Sequence, residues 1–152
     1  MQVAMTEAFN LGLSVEEADA VFGRPLGIPK TGIFGLYDLI GIDLMADVLK
    51  SFIRELPPSD PFHEVGKELP IIKKLIEDGY TGRKGKGGFF RMNKSAEKKT
   101  LESLNYNNYT YYESKKVNLN LPDVMNISKV LDRNDVYGQY AWSIIKIGRA
   151  HV

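Results

Sequence analysis

Apolar residues follow helical spacing through the first part of the chain. Residues 1–5 enter an amphipathic pattern at once and without a capping residue, so we expect a first helix that begins upstream of this sequence. Ser14 and Glu17 have the spacing of a capping box, in which each side chain accepts a hydrogen bond from the other residue's amide. They predict a helix from about 15 to 22, and the glycines and prolines of 23–29 then predict a defined turn.

Two helices with different apolar patterns follow this turn. Residues 33–40 are almost all apolar, which indicates a short buried helix with Gly41 as its C-cap. Asp43 is placed to cap the next helix, which runs from about 44 to 56 and stops before two prolines. Apolar side chains four residues apart define one face of that helix, and we expect this face to be buried: Leu44, Val48, Phe52 and Leu56.

The pattern changes after a last helix from about 70 to Gly79. Residues 79–90 hold five glycines and three aromatic residues, which predicts a loop that ends in a short extended piece. Residues 94–135 lack helical periodicity and are predicted to form an irregular connector that is ordered only in part. A new apolar segment opens at 136–147, while residues 148–152 look unrelated to it and are interpreted as a vector-derived tail.

Composition narrows the function classes. The 152 residues are 26% charged and 43% hydrophobic with a formal net charge of +1, which suits one ordinary soluble domain and argues against a dedicated nucleic-acid binder. No cysteine is present, and two histidines leave little for a zinc site, so we expect no metal centre. No apolar window is long enough for a membrane span or a secretory signal, and we therefore expect a cytoplasmic location.

The basic, glycine-rich segment is the first candidate for chemistry, because glycine-loop amides beside lysines can hold phosphate. Its spacing does not fit a Walker motif, since Tyr80 stands where a glycine is required and Gly87 where Ser or Thr is required. No G-x-G-x-x-G occurs, so this chain should not bind NAD on its own. Residues 67–99 carry ten Lys and Arg against four acids, and we favour a solvated face over a specific phosphate role.

Other candidate groups have simpler structural interpretations. Asp38 and Asp43 flank Gly41 and are the candidate pair for general acid–base chemistry, but helix capping explains both better. His63 is a candidate general base in a turn, yet no partner residue at suitable spacing orients it. Four tyrosines suit base stacking, although sealing the domain surface is the favoured role: Tyr106, Tyr109, Tyr111 and Tyr112.

Two stretches resemble one known family, the C-terminal helical domain of 3-hydroxyacyl-CoA dehydrogenases. Residues 23–43 (GRPLGIPKTGIFGLYDLIGID) resemble its G-x-P-K-S/T-x-x-F block followed by D-L-V-G-L-D. Residues 75–90 (LIEDGYTGRKGKGGFF) are similar to its closing signature of a short helix, G-x-K and a G-F-Y/F pair, with Phe90 where tyrosine is usual. The match covers about residues 1–93 and is greatest with large, multidomain, NAD-dependent bacterial members.

This resemblance implies an all-α fold, a short helical bundle of the 6-phosphogluconate dehydrogenase C-terminal-like type with an irregular C-terminal connector. It divides the chain into the helical domain at 1–93, with its first helix truncated at the start, and the connector at 94–135. Residues 136–147 are similar to the start of a second, degenerate copy of the same domain, and 148–152 form the tail.

The resemblance also implies a function for the parent protein, the oxidation of (S)-3-hydroxyacyl-CoA to 3-oxoacyl-CoA with NAD in fatty-acid β-oxidation. In this family a Rossmann domain holds NAD and the catalytic histidine and glutamate. The helical domain supplies one wall of the acyl-CoA cleft, the dimerisation surface and an asparagine that lies upstream of this sequence, since Asn10 is too far along the helix to replace it. We therefore expect this chain to be inactive alone, to form a homodimer and to hold no catalytic, cofactor or metal residue.

Four residues match the block that the family places beside the substrate cleft: Pro29, Lys30, Thr31 and Phe34. Substrate binding and fixing the turn are weighed equally for them, and Lys30 is the candidate for neutralising a CoA phosphate. Two alternative functions from other functional classes stay open. One is a non-enzymatic helical protein-interaction module, and the weaker one is nucleic-acid binding through residues 67–99 and the tyrosines.

Overall fold

The computed structural model describes residues 1–95, 98–120 and 127–150, with side chains in the last range up to residue 146. Within these residues a single 3₁₀ turn, Arg24–Leu26, interrupts a series of α-helices and strands. The helices are α1 (Gln2–Asn10), α2 (Val15–Val21), α3 (Phe34–Ile40), α4 (Ile42–Glu55), α5 (Phe62–Val65), α6 (Pro70–Glu77), α7 (Ile127–Leu131) and α8 (Val136–Ala150). The strands are β1 (Phe90–Asn93), β2 (Thr100–Asn105) and β3 (Thr110–Glu113).

The chain divides into two compact units. Unit 1 consists of Met1 with residues 3–35 and 114–152, and unit 2 of Gln2 with residues 36–113, so the division falls inside α3. Of the predicted tail, residues 148–150 continue the backbone of α8, while 151 and 152 lie outside the described residues. Among the residues described, every helix is too short or too polar to cross a lipid bilayer.

The capping box predicted at the start of α2 is confirmed in unit 1. The Ser14 amide donates to Glu17 Oε2 at 2.9 Å, and the Glu17 amide donates to Ser14 Oγ at 3.3 Å. The Tyr137 hydroxyl donates to the other Glu17 oxygen at 2.7 Å. Burial alone would raise the pKa of Glu17, but these hydrogen bonds hold that pKa below its usual value. The capping carboxylate thus also fastens α8 to α2.

Tyr140 of α8 is the largest fully buried side chain of unit 1. It is 0% exposed, and its hydroxyl donates to the Ala4 carbonyl of α1 at 2.9 Å. Desolvation raises the pKa of this phenol, so it stays a neutral donor. Other fully buried members of this core are Met5, Val15, Val21, Ile33, Phe34 and Val130.

Replacing Tyr140 with phenylalanine is expected to lower the free energy of unfolding of unit 1 by about 1 to 2 kcal/mol, because one buried hydrogen bond is lost while the ring still fills its space. Urea unfolding followed by the fluorescence of Trp142, the single tryptophan, reports on this unit. Tyr109→Phe, at an exposed position in unit 2, is the control and should leave this transition in place. An unchanged midpoint for Tyr140→Phe would contradict the role assigned to the hydroxyl.

The helix predictions for unit 2 are largely confirmed. The helix predicted over 33–40 is α3, and Gly41 ends it with a φ of 115° and an amide that donates to the Tyr37 carbonyl at 2.9 Å. α6 buries three of its predicted apolar residues, and its C-terminal end is closed by Gly79 at a φ of 80°. Asp43 is not the N-cap that was predicted, because α4 begins at Ile42 with Gly41 as its N-cap. Its carboxylate lies instead in the first turn of α4, where it accepts a hydrogen bond from the Leu44 amide.

The expectation of a helical domain is confirmed, but the chain is not all-α and the connector is not wholly irregular, because β1, β2 and β3 form an antiparallel sheet in that order. The extended piece predicted after the glycine-rich loop is β1, but β2 and β3 lie within the predicted connector. Glu102 pairs with both neighbours in register, opposite Arg91 on β1 and Glu113 on β3. Threonine, tyrosine and leucine suit a pleated, half-buried surface, so segments without helical periodicity form strands here.

The apolar face of α4 is exposed, contrary to the prediction that it is buried. Leu44, Val48 and Phe52 expose 49%, 38% and 50% of their surface, and Leu56 is half-buried. α4 packs against α6, and Ile42 is its one fully buried residue. The Phe52 ring meets the Phe62 ring edge to face, with the centroids 5.5 Å apart. Periodicity identifies an amphipathic face, but it does not tell whether the same chain supplies a partner for that face.

Candidate functional site

The turn after α2, which holds the four predicted site residues, has a backbone fixed by internal hydrogen bonds. The Gly23 carbonyl accepts from the Ile28 amide at 3.0 Å. Gly27 closes the 3₁₀ turn in the left-handed region at a φ of 72°, and its amide donates to the Arg24 carbonyl at 3.0 Å. The prediction of a defined turn at 23–29 is therefore confirmed, and the exposed side chains of this segment sit on a rigid frame.

Asp19 of α2 connects the end of this turn to the start of α3. One carboxylate oxygen accepts from the Phe34 amide at 2.7 Å and the other from the Gly35 amide at 2.9 Å. These amides have no partner within the helix, so the carboxylate acts as an N-cap supplied from another element. Gly32 has a φ of 66°, and a Cβ there would lie 2.3 Å from Asp19 Cγ, so glycine is required for this approach.

The structure separates the four predicted site residues by exposure. Pro29 and Lys30 are exposed, Thr31 is half-buried, and Phe34 is fully buried with its ring centroid 5.7 Å from that of Phe9. Within the part of the chain that the structure describes, Lys30 forms no ion pair. The segment thus presents the Lys30 ammonium to solvent, while Phe34 packs in the core of unit 1.

The Asp38 carboxylate accepts hydrogen bonds from two consecutive backbone amides in unit 2, as the Asp19 carboxylate does in unit 1. It is 3% exposed, and its two oxygens accept from the Phe89 and Phe90 amides at 2.8 and 2.7 Å. Its own carbonyl accepts from the Arg83 amide at 2.9 Å. A Cβ on Gly88 would lie 2.0 Å from Asp38 Oδ1, so the closing glycines let the backbone approach this carboxylate.

Burial dominates the electrostatics of Asp38. Desolvation raises the pKa of this carboxyl from 3.8 to about 7, and the hydrogen bonds from the Phe90 and Phe89 amides and the charge of Arg83 oppose that rise. The predicted capping role for Asp38 is wrong, since the residue lies inside α3 and its partners begin β1. The sequence does carry a signal for the actual role of Asp38, namely an aspartate within a short apolar helix. Aspartate is a poor helix former and is seldom buried without hydrogen-bond partners, so distant partners could have been expected.

Asp43 does not form a pair with Asp38 but belongs to the glycine-rich hairpin. Its Oδ1 lies 2.9 Å from Lys84 Nζ, and this contact lowers the pKa of the Asp43 carboxyl. Gly82 and Gly87 face each other across the base of the hairpin. The cations of its tip are exposed, and Lys86 Nζ donates to the Asp78 carbonyl at 3.2 Å. The two carboxylates thus fasten the glycine-rich segment at separate points, which supports a structural role over acid–base chemistry.

The tyrosines of β3 pack on the sheet. The Tyr111 hydroxyl donates to the Gly88 carbonyl at 2.5 Å, and its ring lies 5.4 Å from that of Tyr80. The Arg91 guanidinium lies 3.9 Å from the Tyr111 ring centroid and donates to Glu102 at 2.6 Å. Tyr111 therefore connects the sheet to the glycine-rich segment. Neighbouring strand residues point to opposite faces, so Tyr111 and Tyr112 of β3 do not share one stacking surface.

The remaining candidates have structural partners. His63 lies in α5, half-buried, with Nε2 3.3 Å from the Leu56 carbonyl. In the basic stretch, Lys74 pairs with Asp78 at 2.9 Å on the surface of α6. Among residues 1–95, 98–120 and 127–150, no three histidine or acidic side chains come together as metal ligands.

The comparison with known families matches the first part of the chain. The family described as 3-hydroxyacyl-CoA dehydrogenase, C-terminal domain, matches residues 1–92. That range includes both glycine-rich segments and the three aspartates described above, Asp19, Asp38 and Asp43. No solved structure matches the chain significantly.

Curated relatives extend the likeness to nearly the whole chain. Two proteins named fatty acid oxidation complex trifunctional enzyme, from Rickettsia prowazekii and Rickettsia felis, are each 37% identical over 95% of this chain. A protein of Bacillus subtilis named 3-hydroxyacyl-CoA dehydrogenase is 28% identical over 76% of it and is matched over 14% of its own length. The chain spans about a fifth of the length of the two Rickettsia relatives (20%).

Proposed function

Because the chain belongs to the 3-hydroxyacyl-CoA dehydrogenase C-terminal domain family, we propose that it is the helical substrate and dimerisation domain of a fatty-acid β-oxidation enzyme. The parent enzyme would oxidise (S)-3-hydroxyacyl-CoA to 3-oxoacyl-CoA and pass the hydride to NAD. The observation that carries the proposal is the family match over 1–92 together with the rigid, solvent-facing turn at 29–31 within it. A cytoplasmic location is proposed with it.

NAD would be held by another domain of the parent, because the residues described here do not fit it. Dinucleotides bind at the carboxyl edge of a parallel sheet, on a glycine-rich strand–turn–helix unit. The sheet of unit 2 is antiparallel, and within the described ranges no βαβ unit occurs. The contribution of this chain is therefore to binding and assembly, and the hydride transfer belongs to the rest of the parent.

In the proposed cleft wall, Lys30 and Thr31 lie beside the acyl-CoA, and the buried Phe34 anchors this segment in the core of unit 1. An exposed ammonium near a phosphate gains attraction that weakens with salt, so Lys30 suits the CoA phosphates. The hydrogen bonds of Asp19 to the start of α3 fix the backbone next to the exposed Lys30 and the half-buried Thr31. Substrate binding by Pro29, Lys30 and Thr31 is thus compatible with a structural role for Phe34.

A chimeric enzyme tests the proposal. Residues 1–92 replace the matching segment of the Bacillus subtilis relative, and NADH formation from 3-hydroxybutyryl-CoA is followed. We expect the chimera to be active and the 152-residue chain alone to be inactive. A folded but inactive chimera would favour the alternative, a non-enzymatic helical interaction module, which the exposed apolar face of α4 also suits.

Within an active chimera, Lys30→Ala is expected to raise KM for acyl-CoA by about 3- to 10-fold at low salt with kcat unchanged, because one phosphate contact is lost. The difference should shrink as salt is added. Lys50→Ala, an exposed lysine on α4, is the matched control and should leave KM unchanged. An unchanged KM for Lys30→Ala across the salt series would overturn the phosphate role.

A further inference from the structure

The backbone of residues 29–31 is held from both sides within unit 1. On the N-terminal side the Ile28 amide donates to the Gly23 carbonyl at 3.0 Å. On the C-terminal side the Phe34 amide donates to Asp19 Oδ1 at 2.7 Å. The first contact lies within the turn, whereas the second ties the segment to α2. The place of the segment in unit 1 therefore depends on the Asp19 carboxylate.

Asp19 makes this second contact with both carboxylate oxygens. Besides the bond from Phe34 to Oδ1, the Gly35 amide donates to Oδ2 at 2.9 Å. The neighbouring backbone lies close to the carboxylate, since a Cβ on Gly32 would lie 2.3 Å from Asp19 Cγ and a Cβ on Gly35 would lie 3.4 Å from Oδ2. The chain that directly follows residue 31 is thus packed around this one group, so a change in the carboxylate moves the chain.

The charge of Asp19 opposes the function proposed for the segment that it holds. Lys30 is proposed to attract the phosphates of CoA, and a neighbouring carboxylate repels the same anions. By charge alone, neutralising Asp19 would therefore strengthen acyl-CoA binding. Loss of the two hydrogen bonds would instead displace Lys30 and weaken binding. The sign of the effect on KM thus separates an electrostatic role from a geometric one.

We infer that Asp19 is a positioning residue of the acyl-CoA site, which sets substrate affinity by fixing the position of Lys30 and makes no contact with the substrate itself. The inference rests on the proposed function for the identity of the ligand, and it adds a residue outside the four that match the family's cleft block. Because Asp19 acts through Lys30, its effect falls on KM. A residue that only stabilised the fold would lower the active fraction, and with it kcat, while KM stayed unchanged.

Steady-state kinetics of the active chimera give the first test. Asparagine keeps the shape of the side chain but only one acceptor oxygen, so Asp19→Asn is expected to raise KM for acyl-CoA by about 2- to 5-fold with kcat unchanged. Asp47→Asn removes an exposed carboxylate of α4 and is the matched control, with KM as in the wild type. A KM that falls or stays constant in Asp19→Asn would overturn the inference.

A double-mutant cycle in the chimera shows whether Asp19 acts through Lys30. In a Lys30→Ala background, Asp19→Asn should change KM by less than about 1.5-fold, because the ammonium that it would misplace is already gone. If Asp19→Asn raises KM equally with and without Lys30, the carboxylate acts on another group and the inference fails.

Trypsin cleavage of the 152-residue chain tests the structural step without acyl-CoA. Asp19→Asn should speed cleavage after the exposed Lys30 about tenfold relative to cleavage between Lys129 and Val130, because Val130 is buried in the same unit and that bond opens only when the unit unfolds. Equal acceleration at both bonds, or none after Lys30, would contradict the inference. An inactive wild-type chimera would refute the proposed function instead, and the cleavage ratio would still decide whether Asp19 holds the segment.

Discussion

Replacing Gly32 with alanine is expected to lower the free energy of unfolding of unit 1 by about 3 to 4 kcal/mol. About 1 to 2 kcal/mol comes from the left-handed backbone, at a φ of 66°. The rest arises because the new Cβ would lie 2.3 Å from Asp19 Cγ and must displace the carboxylate that caps α3. Urea unfolding monitored by Trp142 fluorescence measures the loss.

Gly12→Ala is a closely matched control, because Gly12 lies in the same unit at a φ of 69° and a Cβ there would meet nothing within 4 Å. It should cost only the backbone strain of about 1 to 2 kcal/mol. In an Asp19→Ala background, Gly32→Ala should lower the free energy of unfolding no more than Gly12→Ala does, since there is then no carboxylate for the new Cβ to displace. Equal costs for Gly32→Ala and Gly12→Ala in the wild-type background would disprove the capping role of Asp19.

Lowering the pH from about 8 to about 4 is expected to stabilise the wild type by about 4 kcal/mol relative to Asp38→Asn. Burial raises the pKa of Asp38 to about 7 from 3.8, so the folded protein binds a proton that the unfolded chain releases over most of this range. The stability contributed by a group whose pKa is raised on folding is present below the unfolded pKa and is lost as the pH rises through the folded one. Asparagine does not titrate, so it removes this dependence.

Denaturant unfolding of both proteins at several pH values measures the difference, and amide exchange at Phe89 and Phe90 reports locally on the hydrogen bonds to Asp38. Asp47→Asn, an exposed carboxylate on α4, controls for the loss of an acidic side chain elsewhere. A stability difference between wild type and Asp38→Asn that stays constant from about pH 4 to 8 would show that burial does not control this carboxyl.

Several local features were predictable because their causes lie within a few residues. The Ser14–Glu17 capping box, the turn at 23–29 and the glycine ends of α3 and α6 are confirmed. Each depends on a hydrogen bond or backbone conformation that spans at most one turn of chain. The resemblance to the dehydrogenase family was carried by such segments, and the family match over residues 1–92 confirms it.

The antiparallel sheet could not be predicted from the local sequence pattern. β2 and β3 were assigned to a connector, since neither has helical periodicity and each is only six or four residues long. The pairing of β2 with β1 and of β3 with β2 supplies the partners that decide the structure, with Ser103 and Leu104 of β2 buried. Strand formation depends on neighbours distant in sequence, so a short run of threonine and tyrosine does not by itself distinguish a strand from a loop.

The sequence by itself determined α1 to α4, α6, the glycine-rich turns and the family, because helical periodicity, capping and glycine conformation act over short distances. It did not predict α5 and α7, which lie in a predicted turn and in the predicted connector. Only the tertiary structure decided what Asp19 and Asp38 do, because their partners are 15 and 51 residues away. It also decided that the apolar face of α4 stays exposed. Amphipathicity fixes which side of a helix avoids water, whereas burial depends on whether another surface reaches that side.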